Sequence, residues 1–323
     1  MKKINNPHDR FFKKLFSRKK EVIELSQKTL PYALSQNIDF DSFQPSNSSF
    51  IDQQLKEHFS DYVYHCKYGQ KEIKIALLYE HKSSIPKYPH LQLLQYFLNL
   101  QNHQIKQTNS TIPVIPIIFY HGQKKWRYFH LKEYFYGLDK NLEPFIPHFD
   151  YLIIDLSTCR IDEIKHWYSS ITLQMSLLIM KNIYDKTKLK TNFFRIFEKL
   201  SSLLETKEGM NFYENLLIYL LEASDLEKDY VINSIEKISK VGGNIAMSTA
   251  DKLIEEGIQK GKKEGILEGM QKGMQKGMEK GMEKGKLEDR KEIAFRMIQQ
   301  NFNDEMIEKI TGFSREEIEK LRK

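Results

Sequence analysis

The chain of 323 residues carries 40% hydrophobic and 12% aromatic side chains, which excludes a disordered polymer and leaves room for one or two domains at roughly 100–200 residues each. Its two cysteines, Cys66 and Cys159, are too few for a disulfide framework, and no Cys/His spacing fits a zinc finger. The net charge is +7, and Met1–Lys20 alone holds eight Lys or Arg against one Asp; such a cluster either favours a polyanion such as nucleic acid or is the solvated face of a short helix.

The opening MKKINNPHDRFFKK is basic with no apolar stretch behind it, unlike a secretory signal. The longest apolar runs, around Val114–Tyr120 and Leu173–Met180, fall short of the roughly 20 residues that span a bilayer, so a soluble cytoplasmic protein is expected. Asn6-Pro7 reads as an N-cap followed by proline in the first turn, opening a helix over Pro7–Phe16. A second helix is expected near Lys20–Thr29, ending before Pro31. Residues 31–50, rich in Asn, Ser, Pro and Asp, read as loop.

Residues 60–68 (SDYVYHCKY) and 72–80 (EIKIALLYE) form two strand-like runs around Gly69-Gln70-Lys71, the pattern of a β-hairpin. A helix follows over His90–Gln107. Ile112–His121 is a nearly continuous apolar run typical of a strand covered on both faces, although Pro113 and Pro116 favour a start at Ile115. Tyr151–Leu156 is a further strand. This order implies a mixed central sheet with flanking helices. From Asp162 to Ser239 the pattern is helical, and Gly242-Gly243 reads as a hinge into the tail.

The tail carries glycine at every fourth position from Gly257 to Gly285, in units such as GMQK and GMEK. Four residues advance about 400° on an α-helix, so the glycine and methionine stripes slip about 40° per unit and cannot stay on one buried face. A marginal extended helix or a flexible spacer is expected there. Interleaved Lys and Glu exclude a membrane packing face. Further on, Gly312 suits a helix end and Ser314-Arg315-Glu316-Glu317 a capping box, giving a small helical pair. Its acidic second helix fits packing or self-association better than a DNA groove.

Chemistry concentrates between Asp61 and Lys82. Side chains alternate along a strand, so Glu80 and Lys82 share a face. A two- or four-residue hairpin loop pairs Asp61 with Leu78 or with Glu80, in both cases on the Glu80 face; a three-residue loop with a bulge reverses this. Two carboxylates supply hard oxygen ligands for Mg²⁺ (or Mn²⁺), and a neighbouring lysine orients water or offsets charge growing on a phosphoryl group. Alone, an Asp with an E-x-K is more often ordinary strand surface. Gln92 and Tyr96, four apart on the next helix, add an amide and a phenol facing the site or DNA, or else belong to a plain amphipathic helix.

The blocks HDRFFKKLFS (8–17), SFIDQQLKEHFSDYVY (49–64), LLYEHKSSIPKYPHLQLLQYF (77–97) and PIIFYHGQKKW (116–126) resemble, in order and spacing, the Rpn family of recombination-promoting nucleases, also described as transposases. The resemblance covers at least residues 6–156, and the glycine-rich tail is similar to tails in that family. It implies an α/β fold of the PD-(D/E)XK restriction-endonuclease-like kind with a helical C-terminal extension. It further implies a Mg²⁺-dependent DNA endonuclease of low sequence specificity, linked to recombination or foreign-DNA processing.

By that resemblance Asp61, Glu80 and Lys82 are the catalytic set. Asp61, Glu80 and the His81 backbone carbonyl are the metal ligands, and Gln92 and Tyr96 support the site or face DNA; Asp9 matches the acid of the family's N-terminal motif and either supports the site or, as an acid in the first turn of its helix, stabilises the helix dipole. Ser60 stands where the superfamily has proline. His121-Gly122 also match, His121 reading as a packed strand-end histidine. The expected division is a nuclease core over 1–160, a helical region over 161–245, a repeat spacer over 246–290 and a helical element over 291–323, the last two offering a route to a homo-oligomer. The alternative is a DNA-binding or assembly protein that has lost catalysis on the same fold.

Overall fold

The computed structural model describes residues 6–46, 61–70 and 73–322; strand positions 61 and 73–76 are described by backbone alone. Asn6 accepts the His8 amide proton at 3.1 Å, and Pro7 occupies the first turn, so helix α1 spans Pro7–Phe16 as its capping residues require. Its apolar stripe, Phe11, Phe12, Leu15 and Phe16, is buried. Helix α2 spans Lys19–Thr29.

The segment expected as loop after Pro31 is instead a short helix α3, Tyr32–Ser35, and a strand β1, Ile38–Pro45; its last residues, 47–50, lie outside the described residues. β1 is an edge strand with a register shift between Asp39 and Gln44. At the shift the Ser42 hydroxyl accepts the Lys67 amide proton at 2.8 Å in place of a backbone carbonyl. Only Ile38 and Phe43 are buried, five positions apart, so the two-residue alternation of a strand is erased.

The hairpin forms as expected, with β2 at Asp61–Tyr68 and β3 at Ile73–Lys82. Tyr68 pairs with Ile73, so the connection is the four residues 69–72, and the ladder carries on to the pair Asp61–Glu80. Gly69 opens the turn at φ +68°, a conformation that suits glycine. Helix α4, Pro89–Thr108, then crosses over to β4, Val114–Tyr120, which lies parallel to β3. β4 therefore begins before Ile115 and contains Pro116; β5, Leu152–Asp155, pairs with it only from Ile117 onward, so Pro116 sits where that side of β4 is still an edge.

The five strands lie in the order β1-β2-β3-β4-β5, antiparallel from β1 to β3 and parallel from β3 to β5. This is the mixed sheet of an α/β protein. Alternation assigns the two faces. Leu77, Tyr79, Ile117 and Phe119 join a large core with α1, α2 and the later helices, while Ile118 and Tyr120 join Leu93 of α4, Trp126 and Tyr151 in a second cluster. By the same parity Glu80 and Lys82 fall on the α4 face and His81 on the α1 face.

Helices α5 (Ile161–Trp167), α6 (Ile171–Asn182), α7 (Lys186–Phe197), α8 (Leu200–Leu203), α9 (Lys207–Ala223) and α10 (Lys228–Glu236) pack into the large core. α6 is buried at every position from Thr172 to Met180, the signature of a central helix. Helix α11 runs from Lys240 to Gln299. The hinge expected at Gly242-Gly243 is absent: both lie inside α11, where a Cβ on Gly242 would press on Leu200 and Ile235, and one on Gly243 on Glu236. Close packing, not bending, accounts for these glycines.

Two compact units result, Met1–Lys252 and Leu253–Lys323. In the second, the glycines from Gly257 to Gly285 have open space around them, and Met270, Met274, Met278 and Met282 are exposed. Helices α12 (Asp304–Thr311) and α13 (Arg315–Arg322) close a small core of Ala294, Met297, Ile307, Phe313 and Ile318. Gly312 ends α12 at φ +69°, and Ser314 and Glu317 cap each other at 2.8 and 3.4 Å. Among the described residues no helix is long and apolar enough to cross a membrane.

Candidate active site

β3 is flanked by β2 and β4, and its carboxyl end delivers Glu80 into the sheet interior opposite Asp61 on one side and Ile118 on the other. Glu80 is 1% exposed. Its Oε1 accepts from Lys82 Nζ at 2.5 Å and from Gln92 Nε2 at 3.1 Å. Its Oε2 is buried and accepts no hydrogen bond of normal geometry among the described residues. Gln92 and Tyr96 lie one helical turn apart on α4, and the Tyr96 phenol also acts on Glu80. Burial pushes the Glu80 carboxyl above its usual range, while the Lys82 ammonium and the Tyr96 hydroxyl pull against that rise.

Glu80, Lys82, Gln92 and Tyr96 are thus brought together. Asp61 is the Cα partner of Glu80, which puts the two positions on one face of the sheet; its side chain lies outside the described residues. Among the described residues no three His, Cys, Asp or Glu side chains gather closely enough to hold a metal ion. The donor chemistry at the site nevertheless fits a hard cation. Glu80 offers a buried carboxylate oxygen without a partner among the described residues, and the position across the ladder is a second acid.

Asp9 is not on this side. Its carboxylate lies 2.9 Å from Nδ1 of His81, whose ring stacks on Phe12 and on His121, both at 4.9 Å between centroids. His8, beside Asp9 on α1, links Tyr219 at 2.9 Å and Tyr184 at 3.1 Å through its two ring nitrogens. His121 bonds the Met180 carbonyl through Nδ1 at 3.3 Å. Burial drives the His8 pKa down to about 4 and lowers those of His81 and His121 as well, so neutral imidazoles fill this side.

The His121 environment accords with a packed strand-end histidine. Gly122 follows because a Cβ there would overlap the folded-back ring of Tyr120, whose hydroxyl donates to the Lys124 carbonyl at 2.7 Å. His8, Tyr184 and Tyr219 were not legible as partners. Only His8 carried a signal, as the residue before Asp9.

Residues 6–211 match the model of the family described as "Putative transposase, YhgA-like". The chain is 25% identical to the inactive recombination-promoting nuclease-like protein RpnE of Escherichia coli K12 over 262 residues, covering 78% of this chain and 83% of that protein. It is 24% identical to the recombination-promoting nuclease RpnA of the same strain, over 79% of this chain and 86% of RpnA. Recombination-promoting nuclease RpnC, also from that strain, is 23% identical over 78% of this chain and 82% of its own length. No solved structure matches the chain.

Proposed function

We infer from this chain's membership of the YhgA-like transposase family that it is a metal-dependent DNA endonuclease acting in recombination or foreign-DNA processing. The fold we assign is the PD-(D/E)XK nuclease core. One observation carries the reading: a buried Glu80 keeps one oxygen on Lys82 and Gln92 and presents the other, without a partner among the described residues, on the face shared with position 61.

Asp61, Glu80 and the His81 backbone carbonyl would hold Mg²⁺ or Mn²⁺, which supplies Lewis-acid polarisation of the phosphoryl group and lowers the pKa of the attacking water. Lys82 sets a positive charge beside the scissile phosphate and stabilises the negative charge that grows there. The Gln92 amide fixes the Glu80 carboxylate, leaving Oε2 to face the reaction. Tyr96 favours the ionised carboxylate against the cost of burial.

Plasmid nicking by the purified protein tests this reading. Nicking is expected in Mg²⁺ and lost in EDTA, and lost in Asp61→Ala and Lys82→Ala. Equal nicking by the variants overturns it. The similarity to RpnE, named as an inactive nuclease-like protein, favours a second reading, a DNA-binding protein without catalysis. DNA binding with no cleavage in any divalent metal would select that one.

A further inference from the structure

The parallel strands β3, β4 and β5 all end on the same edge of the sheet, and two cavities open there that the carboxylate site does not use. One, of about 410 Å³, begins at Ser83, the residue after Lys82, and is walled by Tyr120 and Lys124. The other, of about 440 Å³, lies beyond the ends of β4 and β5 and is lined by Ser157, Arg160, Lys181, Lys188 and Arg195. Gln123 and Tyr184 line both, so the two adjoin, and together they make an interrupted trough at the carboxyl ends of the parallel strands. Crevices at the carboxyl ends of parallel strands are where ligands bind in open α/β sheets.

The chemistry of the far cavity is that of an anion site. Four cations line it against two carboxylates, Asp162 and Asp185. Lys181 is half-buried; its ammonium donates to the Leu156 and Ser157 carbonyls at 2.9 and 3.3 Å and makes no ion pair among the described residues. The Ser157 hydroxyl is buried on the same wall without a hydrogen-bond partner among the described residues. Arg195 pairs with Asp162, Lys188 with Asp185 at 3.1 Å, and Arg160 with Glu163 at 3.1 Å. These pairs are largely exposed, hence weak, and a phosphate can take over the cation at small cost.

We propose that this trough is a DNA backbone track, in which Lys181, Lys188, Arg195 and the Ser157 hydroxyl bind a phosphate of the strand that flanks the scissile bond. It rests on the nuclease reading only for the direction of the strand; the phosphate site itself stands on the cavity. The track gives the enzyme sequence-independent hold on a substrate whose bases it does not read.

Binding of the full chain to a labelled linear duplex in EDTA, followed by fluorescence anisotropy across a salt series, tests the track. Lys188→Gln/Arg195→Gln is suitable because both side chains are substantially exposed and the fold does not depend on them. We expect Kd to rise about tenfold and the slope of log K against log salt to fall in magnitude by roughly one to two. A paired control, Lys207→Gln/Lys237→Gln, removes two exposed lysines that line neither cavity and should leave the slope near that of the parent.

An unchanged slope in the trough variant, or an equal loss in the control, overturns the proposal. Inorganic phosphate or a mononucleotide that raises the Tm of the parent but not of the trough variant, with the DNA slope unaltered, would assign the cavity to a small phosphate and likewise overturn it. Failure of the nuclease reading looks different: no cleavage in Mg²⁺, yet a salt slope that still depends on Lys188 and Arg195.

Discussion

The two faces of β3 at Glu80-His81-Lys82 put neighbouring residues to opposite uses. On the α4 side Glu80 is held by a lysine and a glutamine, and a buried oxygen is left without a partner among the described residues. On the α1 side His81 is packed between Phe12 and His121 and tied to Asp9, among imidazoles that burial keeps neutral. Three consecutive residues thus serve a polar site and an aromatic core at once, because strand alternation separates them by the thickness of the sheet. The packed side fixes β3 in place, so the polar side tolerates an imperfectly satisfied carboxylate.

That division can be broken by experiment. Glu80→Gln keeps the shape of the side chain and removes its charge. It should cut the proposed Mg²⁺-dependent cleavage on the order of 10³-fold or more while moving Tm little, read from plasmid nicking beside a thermal melt. Phe12→Ala on the opposite face should cost about 3–5 kcal/mol of stability through the lost packing under His81, with cleavage per folded molecule retained. Loss of cleavage by Phe12→Ala without loss of stability would show that the faces are not separate.

Acid should act through the α1 side. His8 titrates near 6.5 when unfolded and at about 4 in the fold, so below pH 6.5 the unfolded chain takes up the proton first. Stability is therefore full above about pH 6.5 and falls as pH drops toward about 4, by about 1–3 kcal/mol after allowance for partial solvent contact. Burial lowers His81 and His121 in the same direction and adds to the fall. Urea midpoints between about pH 7.5 and 4.5 measure this, and His8→Gln should flatten the curve. The smallest effect is at the rim of the site: Tyr96→Phe should lower kcat/KM about tenfold, with Tm nearly unchanged. A loss as large as that of Glu80→Gln would make the phenol a principal group.

Much of this arrangement was legible in the chain. Asn6-Pro7 announced α1, the apolar run at 112–121 announced β4, and the E-x-K spacing put Glu80 and Lys82 on one face. What escaped was structure whose cause is tertiary. β1 hid behind a bulge that breaks its alternation, so its two buried residues, Ile38 and Phe43, carry no period. Gly242 and Gly243 have the composition of a hinge, yet they serve a close helix contact that only Leu200, Ile235 and Glu236 reveal. The stack of His8, His81 and His121 draws on three distant segments, and no local pattern foretells it. Asp9 followed the same logic and was placed by its partner rather than by its motif.

The four-residue spacing between Tyr68 and Ile73 constrains how this family can vary. Its four residues set the phase of one strand against the other, and that phase decides which acid meets Glu80 across the ladder. Deleting or adding a pair of residues slides the partner strand yet preserves inside and outside, whereas a single insertion turns every position of β2 over and points Asp61 at the aromatic side. Length changes in this hairpin should therefore come in twos, or arrive with a compensating bulge, wherever cleavage has been kept.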